Sequence, residues 1–249
     1  MSRVGLPVSA LMAFMLLVAA CGGSTPPAEE QAPATAAESV TEHMAEHFAR
    51  VRDIEHAVIR GDLDAAQAPA QWIVDHQELT NLPEGSGRYL AEIRNAAMGV
   101  TSTDNIGNAA VATASMVVAC GNCHAASGAA PKMPDVTPLP AAEGSPSHMR
   151  QHQQAVDLMY EGLIAPSEDL WKQGAGMLKA SPLGEGDLPQ ELSADVKASE
   201  GRIHEMADRA MAAADSGAKV AIYGEIIAGC ASCHGLHGKV WGPGLPKGQ

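Results

Sequence analysis

A chain of 249 residues, 46% of them apolar, is long enough to bury one or two real cores. Aromatic residues make up only 3% and β-branched residues are few, while Ala, Gly and Met abound, so strands are disfavoured and helices packed through small side chains are expected. A formal net charge of −13 argues against nucleic acid as a partner and is ordinary for an exported protein that must stay soluble.

Residues 1–20 read as a secretion signal: Arg3 supplies a positive n-region, Leu11 to Val18 an apolar h-region, and Ala19 and Ala20 the small residues before Cys21. The run is too short and wrongly flanked to span a bilayer, and no other stretch is expected to span one. Val18-Ala19-Ala20-Cys21 resembles the bacterial lipobox, which implies cleavage before Cys21, lipidation of that cysteine and anchoring to a membrane of the cell envelope on its periplasmic side. A plain signal peptide would instead leave Cys21 as an odd thiol in an exported protein. Residues 21–38, rich in Pro, Ala and Gly, read as a flexible tether.

Helical signals begin at Ser39, which with Glu42 forms a capping-box pattern ahead of an apolar stripe through Met44, Phe48, Val51, Ile54 and Val58. The stripe stops at Gly61, and Asp62 caps a second helix to about residue 79, with Pro69 as a kink or break. A turn over 81–87 precedes a third helix carrying Leu90, Ile93, Ala97 and Met98, and a fourth runs from Ala109 to about Cys123. Residues 127–144, which include four of the five prolines between 125 and 147, read as an interdomain linker.

The second half repeats this plan over about 147–164, 167 onward, 189–214 and 218–233, followed by a tail over 239–249. His43-Met44-x-x-His47 matches His148-Met149-x-x-His152 at an offset of 105, which Asp62 and Ser167 keep. Gly107 and Gly217 lie 110 apart, so about five residues were inserted between these points. The period is too long for a solenoid unit and predicts an all-α fold of two tandem four-helix bundles, over 39–126 and 145–238.

The 110 offset also relates Cys120-Gly-Asn-Cys123-His124 to Cys230-Ala-Ser-Cys233-His234. C-x-x-C-H is the sign of covalent c-type haem attachment: two thiols form thioethers to the haem and the adjacent His is the proximal iron ligand. Two haems c are therefore expected, held by Cys120, Cys123 and His124 and by Cys230, Cys233 and His234. One four-cysteine zinc site or two local disulfides would also use C-x-x-C pairs, though neither asks for the two histidines.

A four-helix bundle with its C-x-x-C-H at the end of the last helix resembles the class II, cytochrome c-prime type of c-type cytochrome. The resemblance rests on architecture and motif. A class I cytochrome takes a Met ligand from downstream, but Met133 follows the first motif too closely, and none of the 15 residues after His234 is Met. In an up-down-up-down bundle the start of helix one lies beside the end of helix four, so the sixth iron position faces H-M-x-x-H. His47 and His152 are the favoured distal ligands, with Phe48 beside His47 as the main aromatic of its domain. Met44 and Met149 are the alternative, since a Met on an apolar stripe is ordinarily core, and His43 and His148 rank lower. His56, His76, His204 and His237 have no repeat counterpart and read as surface or hydrogen-bonded residues, with His237 and Trp241 placed to cover a haem edge.

No phosphate-binding loop, dinucleotide fingerprint, serine-nucleophile elbow or catalytic acid pair is present. The expected function is single-electron transfer between redox partner proteins, with no enzymatic activity, and the acidic charge suits a basic partner. The alternatives are a gas-binding protein or a dihaem peroxidase with an open iron position, and, remotely, a zinc or disulfide scaffold without haem. The class II resemblance also implies a homodimer.

Overall fold

A computed structural model describes residues 39–76, 82–129, 131–133, 145–180 and 193–241, except for the side chains of 145–146, 193 and 236–241. The expected signal, the lipidated Cys21, the tether, residues 134–144 of the linker and the last eight residues lie outside these. The described residues form eight helices and no strand: α1 (Val40–Ile59), α2 (Leu63–Asp75), α3 (Gly87–Thr101), α4 (Ile106–Ser127), α5 (Ser145–Ile164), α6 (Glu168–Lys179), α7 (Ser193–Ala212) and α8 (Ser216–Trp241). The chain is thus all-α, as its composition requires, and Glu38–Gln249 clusters as one compact unit.

Local chemistry sets the helix starts. Ser39 and Glu42 form a reciprocal capping box on α1. Asp62 accepts the Ala65 N–H at 3.0 Å, Asn105 the Asn108 N–H at 3.0 Å, and Ser167 the Leu170 N–H at 3.3 Å. Gly61 and Gly128, with φ of +72° and +69°, follow the ends of α1 and α4, where a left-handed residue is needed to leave the helix.

Three boundaries differ from the sequence reading. α2 runs through Pro69 without a break, because proline there removes only the N–H aimed at Ala65 while Ala66 and Ala70 remain buried. α8 does not stop near 233 but continues past His234 to Trp241, so the second motif is internal to its helix. α4 has the length and hydropathy of a membrane span, where the sequence reading expected none outside the leader and judged the leader too short. In the fold, however, α4 packs against α1, α3, α5 and α8, and its apolar residues serve that packing.

Each helix packs on the next within the sets α1–α4 and α5–α8, and α1 also closes on α4. The two halves meet where α4 crosses α8, α5 lies on α4 and α1 on α8. Small residues let these axes approach. A Cβ on Gly224 would lie 3.1 Å from Val111 Cα, and one on Gly121 only 1.9 Å from the Leu163 carbonyl oxygen. One continuous core results, with Ile54, Met116, Val117, Met159, Ile226 and Ile227 fully buried. Each such aliphatic contributes roughly 1.5–3 kcal/mol. Trp171, also fully buried, donates its Nε1–H to the Ala210 carbonyl at 2.8 Å and ties α6 to α7.

Candidate functional site

Both C-x-x-C-H motifs lie on the long central helices, Cys120–His124 near the end of α4 and Cys230–His234 on α8. A C-x-x-C spacing puts both sulfurs on one helix face about one turn apart. Among the described residues, no disulfide joins the four motif cysteines. Burial pushes the Cys120 and Cys230 thiols up to about 12, and raises Cys123 and Cys233 less. A hydrogen bond with Ser86 partly offsets the rise at Cys123, whereas the Glu200 charge adds to it at Cys233. The two three-donor clusters that the described residues offer a metal contain no cysteine, so the four thiols do not converge as a single zinc site would require.

Each motif histidine is held by the other half of the chain. His124 Nδ1 lies 2.8 Å from the Ile164 carbonyl oxygen at the end of α5, and His234 Nδ1 lies 2.8 Å from the Ile59 carbonyl at the end of α1. A carbonyl only accepts, so Nδ1 carries the proton in both rings and Nε2 keeps its lone pair as a ligand atom. Ile59 and Ile164 are 105 apart and the histidines 110 apart, the two offsets of the sequence repeat. The fold thus keeps the repeat and crosses it. Burial lowers the His234 pKa, which favours the neutral ring that a metal needs.

For the second motif, the structure assembles the residues that the sequence singled out. Cys230, Cys233 and His234 line a cleft together with His148, Met149 and His152 of α5, with a cavity volume of about 50 Å³. Cofactor sites run to roughly 300–1,000 Å³, so these walls must part to seat a group of that size. His148 is 5% exposed, its ring 4.1 Å from that of His152, and Met149 is half-buried. α7 supplies a residue that sequence reasoning missed: Glu200 also lines the cleft, with its Oε1 3.6 Å from His148 Nε2 and 3.9 Å from His204 Nε2.

In the first half, His43 and His47 are both buried on the N-terminal turns of α1, their rings 4.2 Å apart, and Met44 is half-buried. His47 Nε2 donates to the His76 carbonyl at 2.8 Å, and its ring meets the edge of Trp72 at 5.2 Å. Burial lowers the His47 pKa to about 4, so this ring is neutral. His76 is exposed and hydrogen-bonded to the Trp72 carbonyl at 2.8 Å, as expected, and its ring stacks on Trp72 at 4.1 Å. The side chains of His237 and Trp241 lie outside the described residues.

Between the motifs lies a buried polar network with no signature in sequence. Arg52 of α1 reaches Glu55 at 3.3 Å and Asp157 of α5 at 2.9 Å, with its guanidinium over the Tyr160 ring at 4.5 Å. Tyr223 of α8 donates its hydroxyl to Glu55, which is fully buried. Glu55 and Tyr160 are repeat counterparts, and their electrostatic neighbours correspond as well: Glu55 raises the Cys230 pKa, and Cys120 raises that of Tyr160.

Compared with protein-family models, curated proteins and solved structures, the chain matches none.

Proposed function

We propose that this protein is an exported, lipid-anchored dihaem c-type cytochrome, each half a four-helix unit, that carries single electrons between redox partner proteins. The observation that carries this reading is the pair of motif histidines, each with Nδ1–H tied to a backbone carbonyl and Nε2 left as a ligand atom. Surface or core histidines do not require that arrangement twice, each time directly after C-x-x-C. It is the usual outer-shell support of a metal-binding imidazole.

The residues fit the group. At the second site two thiols and an imidazole face two further imidazoles and a thioether across a cleft walled by Ile59, Val156, Val196 and Ile203. Cys120 and Cys123, and Cys230 and Cys233, would form the thioethers; His124 and His234 would be the proximal ligands. The distal ligands come from H-M-x-x-H, with His47 and His152 favoured and Met44 and Met149 the alternative. Haem c supplies a one-electron iron couple that needs no substrate at the metal. Burial favours the neutral ring at His47 and His234, backbone carbonyls orient His124 and His234, and the apolar wall would keep water from the cofactor.

One observation favours a second reading at the first site. His47 Nε2 is engaged by the His76 carbonyl, and ligation through that atom would break the bond. If it holds and Met44 does not ligate in its place, the first iron would stay open to small gases. Carbon monoxide added to the reduced protein separates the readings. An electron carrier with both irons six-coordinate shows a low-spin spectrum that carbon monoxide leaves unchanged. One equivalent bound per chain assigns gas binding to one site, and rapid binding of two equivalents overturns the carrier reading.

A further inference from the structure

The two candidate sites are related by the repeat but differ in charge. α3 and α7 align at the offset of 110, since Ile93 and Ile203, Ala97 and Ala207, and Val100 and Ala210 are buried in register. In that register Glu200 takes the place of Leu90. Leu90 is half-buried and uncharged, whereas Glu200 brings a carboxylate to the second cleft, with its side chain 12% exposed. Among the residues lining that cleft, Glu200 alone is an acid, and none is Lys or Arg. The groups facing it are imidazoles: His148 and His152 on α5, and His204 one turn further along α7. At 3.6 and 3.9 Å the carboxylate lies within ion-pair reach of the His148 and His204 rings.

We propose that Glu200 is a positioning and tuning residue that makes the second site the lower-potential of the two, so that a protein holding one electron keeps it at the first site. The inference rests on the haem reading above. A negative charge held in a partly dry cleft interacts more strongly than one in water and stabilises the more positive, oxidised iron. Three charges oppose or dilute the effect, and all three are exposed; the first is Arg60, past the end of α1, which acts on His234. Arg202 is exposed and donates to the Ser199 hydroxyl at 2.8 Å, so solvent screens it. Near the first site Glu46 is exposed and pairs with Arg50 at 3.7 Å. The transfer itself is one electron lost at the second site and gained at the first, with no bond or proton changing hands.

The test is an equilibrium redox titration of the full-length protein carrying both haems, followed in the visible spectrum. The parent is expected to titrate in two one-electron steps. In Glu200→Gln, which keeps shape and removes charge, the lower step moves up by about tenfold in equilibrium constant, about 59 mV for one electron, and the upper step stays. Leu90→Glu makes the converse change and lowers the upper step. Equal shifts of both steps in Glu200→Gln, no shift, or movement of the upper step alone would overturn the proposal. A parent protein that carries no covalent haem would instead overturn the functional reading beneath it, before either variant is titrated.

Discussion

Gly121→Ala is expected to destabilise the protein by about 3 kcal/mol or more, the severe end of overpacking, even though alanine is the better helix former by about 1 kcal/mol. The added Cβ would lie 1.9 Å from the Leu163 oxygen and 3.1 Å from the Leu163 carbon. Both are backbone atoms inside α5, so no side chain can turn aside, and one helix must move against the other. The displaced carbonyl is next to that of Ile164, which holds His124. The substitution therefore disturbs the first site as well as the fold. The repeat offers its own control. Alanine already occupies the equivalent position 231, and Ala231→Gly should cost only about 1 kcal/mol of helix propensity. Urea unfolding followed by far-ultraviolet circular dichroism measures both. A Gly121→Ala protein within about 0.5 kcal/mol of the parent would contradict the α4–α5 approach described here.

Arg52→Ala should cost about 3–5 kcal/mol at pH 8, because it leaves the Glu55 carboxylate buried without its cation. The loss should shrink at pH 5, and the pKa of Glu55 gives the reason. Desolvation raises it from an ordinary 4.5 to about 7, against the pull of Arg52 and the Tyr223 hydroxyl. The folded state therefore holds this proton more tightly than the unfolded chain. Between pH 4.5 and about 7 it binds more protons, so the Glu55 contribution to stability falls as pH rises, by on the order of 3 kcal/mol across the window. At pH 5 Glu55 is neutral and misses Arg52 little, although Asp157 still loses its 2.9 Å partner. Glu55→Gln should flatten the pH dependence over this window, and Arg52→Ala with Glu55→Gln should be more stable than Arg52→Ala alone at pH 8. Thermal melts at half-unit steps from pH 4.5 to 8 check both. An unchanged slope in Glu55→Gln would show that the carboxyl titrates as it does in water.

These two predictions mark where sequence reading stops. The caps at Ser39, Asp62 and Ser167, the apolar stripe of α1 and the duplicated C-x-x-C-H are local signals, each set by residues within a turn or two of one another. That H-M-x-x-H of α5 shares a cleft with the second motif was expected from the up-down-up-down order. But α5 and α8 are not packed closely on one another: α5 packs on α4, α1 packs on α8, and α7 and Ile59 help to line the cleft. The crossing of the repeat was not legible. His124 finds its carbonyl 40 residues away and His234 finds its own 175 residues away, while Tyr223 meets Glu55 across 168. Periodicity along one helix carries no information about such partners. Glu200 was missed for a related reason. An acid on a helix reads as a solvated face, and only the packing of α7 against the cleft turns it inward. The sequence reading ended the last helix at the motif, whereas α8 continues past His234 through Gly235 and Gly238, residues of low helix propensity.

The central claim is that each C-x-x-C-H holds a covalent haem. Its most direct measurement is the intact mass of the protein, exported by a bacterium competent in cytochrome c maturation and denatured before analysis, together with a haem stain of the denaturing gel. The account predicts a stained band and a mass increase of two haem groups, falling to one in Cys120→Ala/Cys123→Ala and to one in Cys230→Ala/Cys233→Ala. An unstained band at the mass of the bare chain would contradict it.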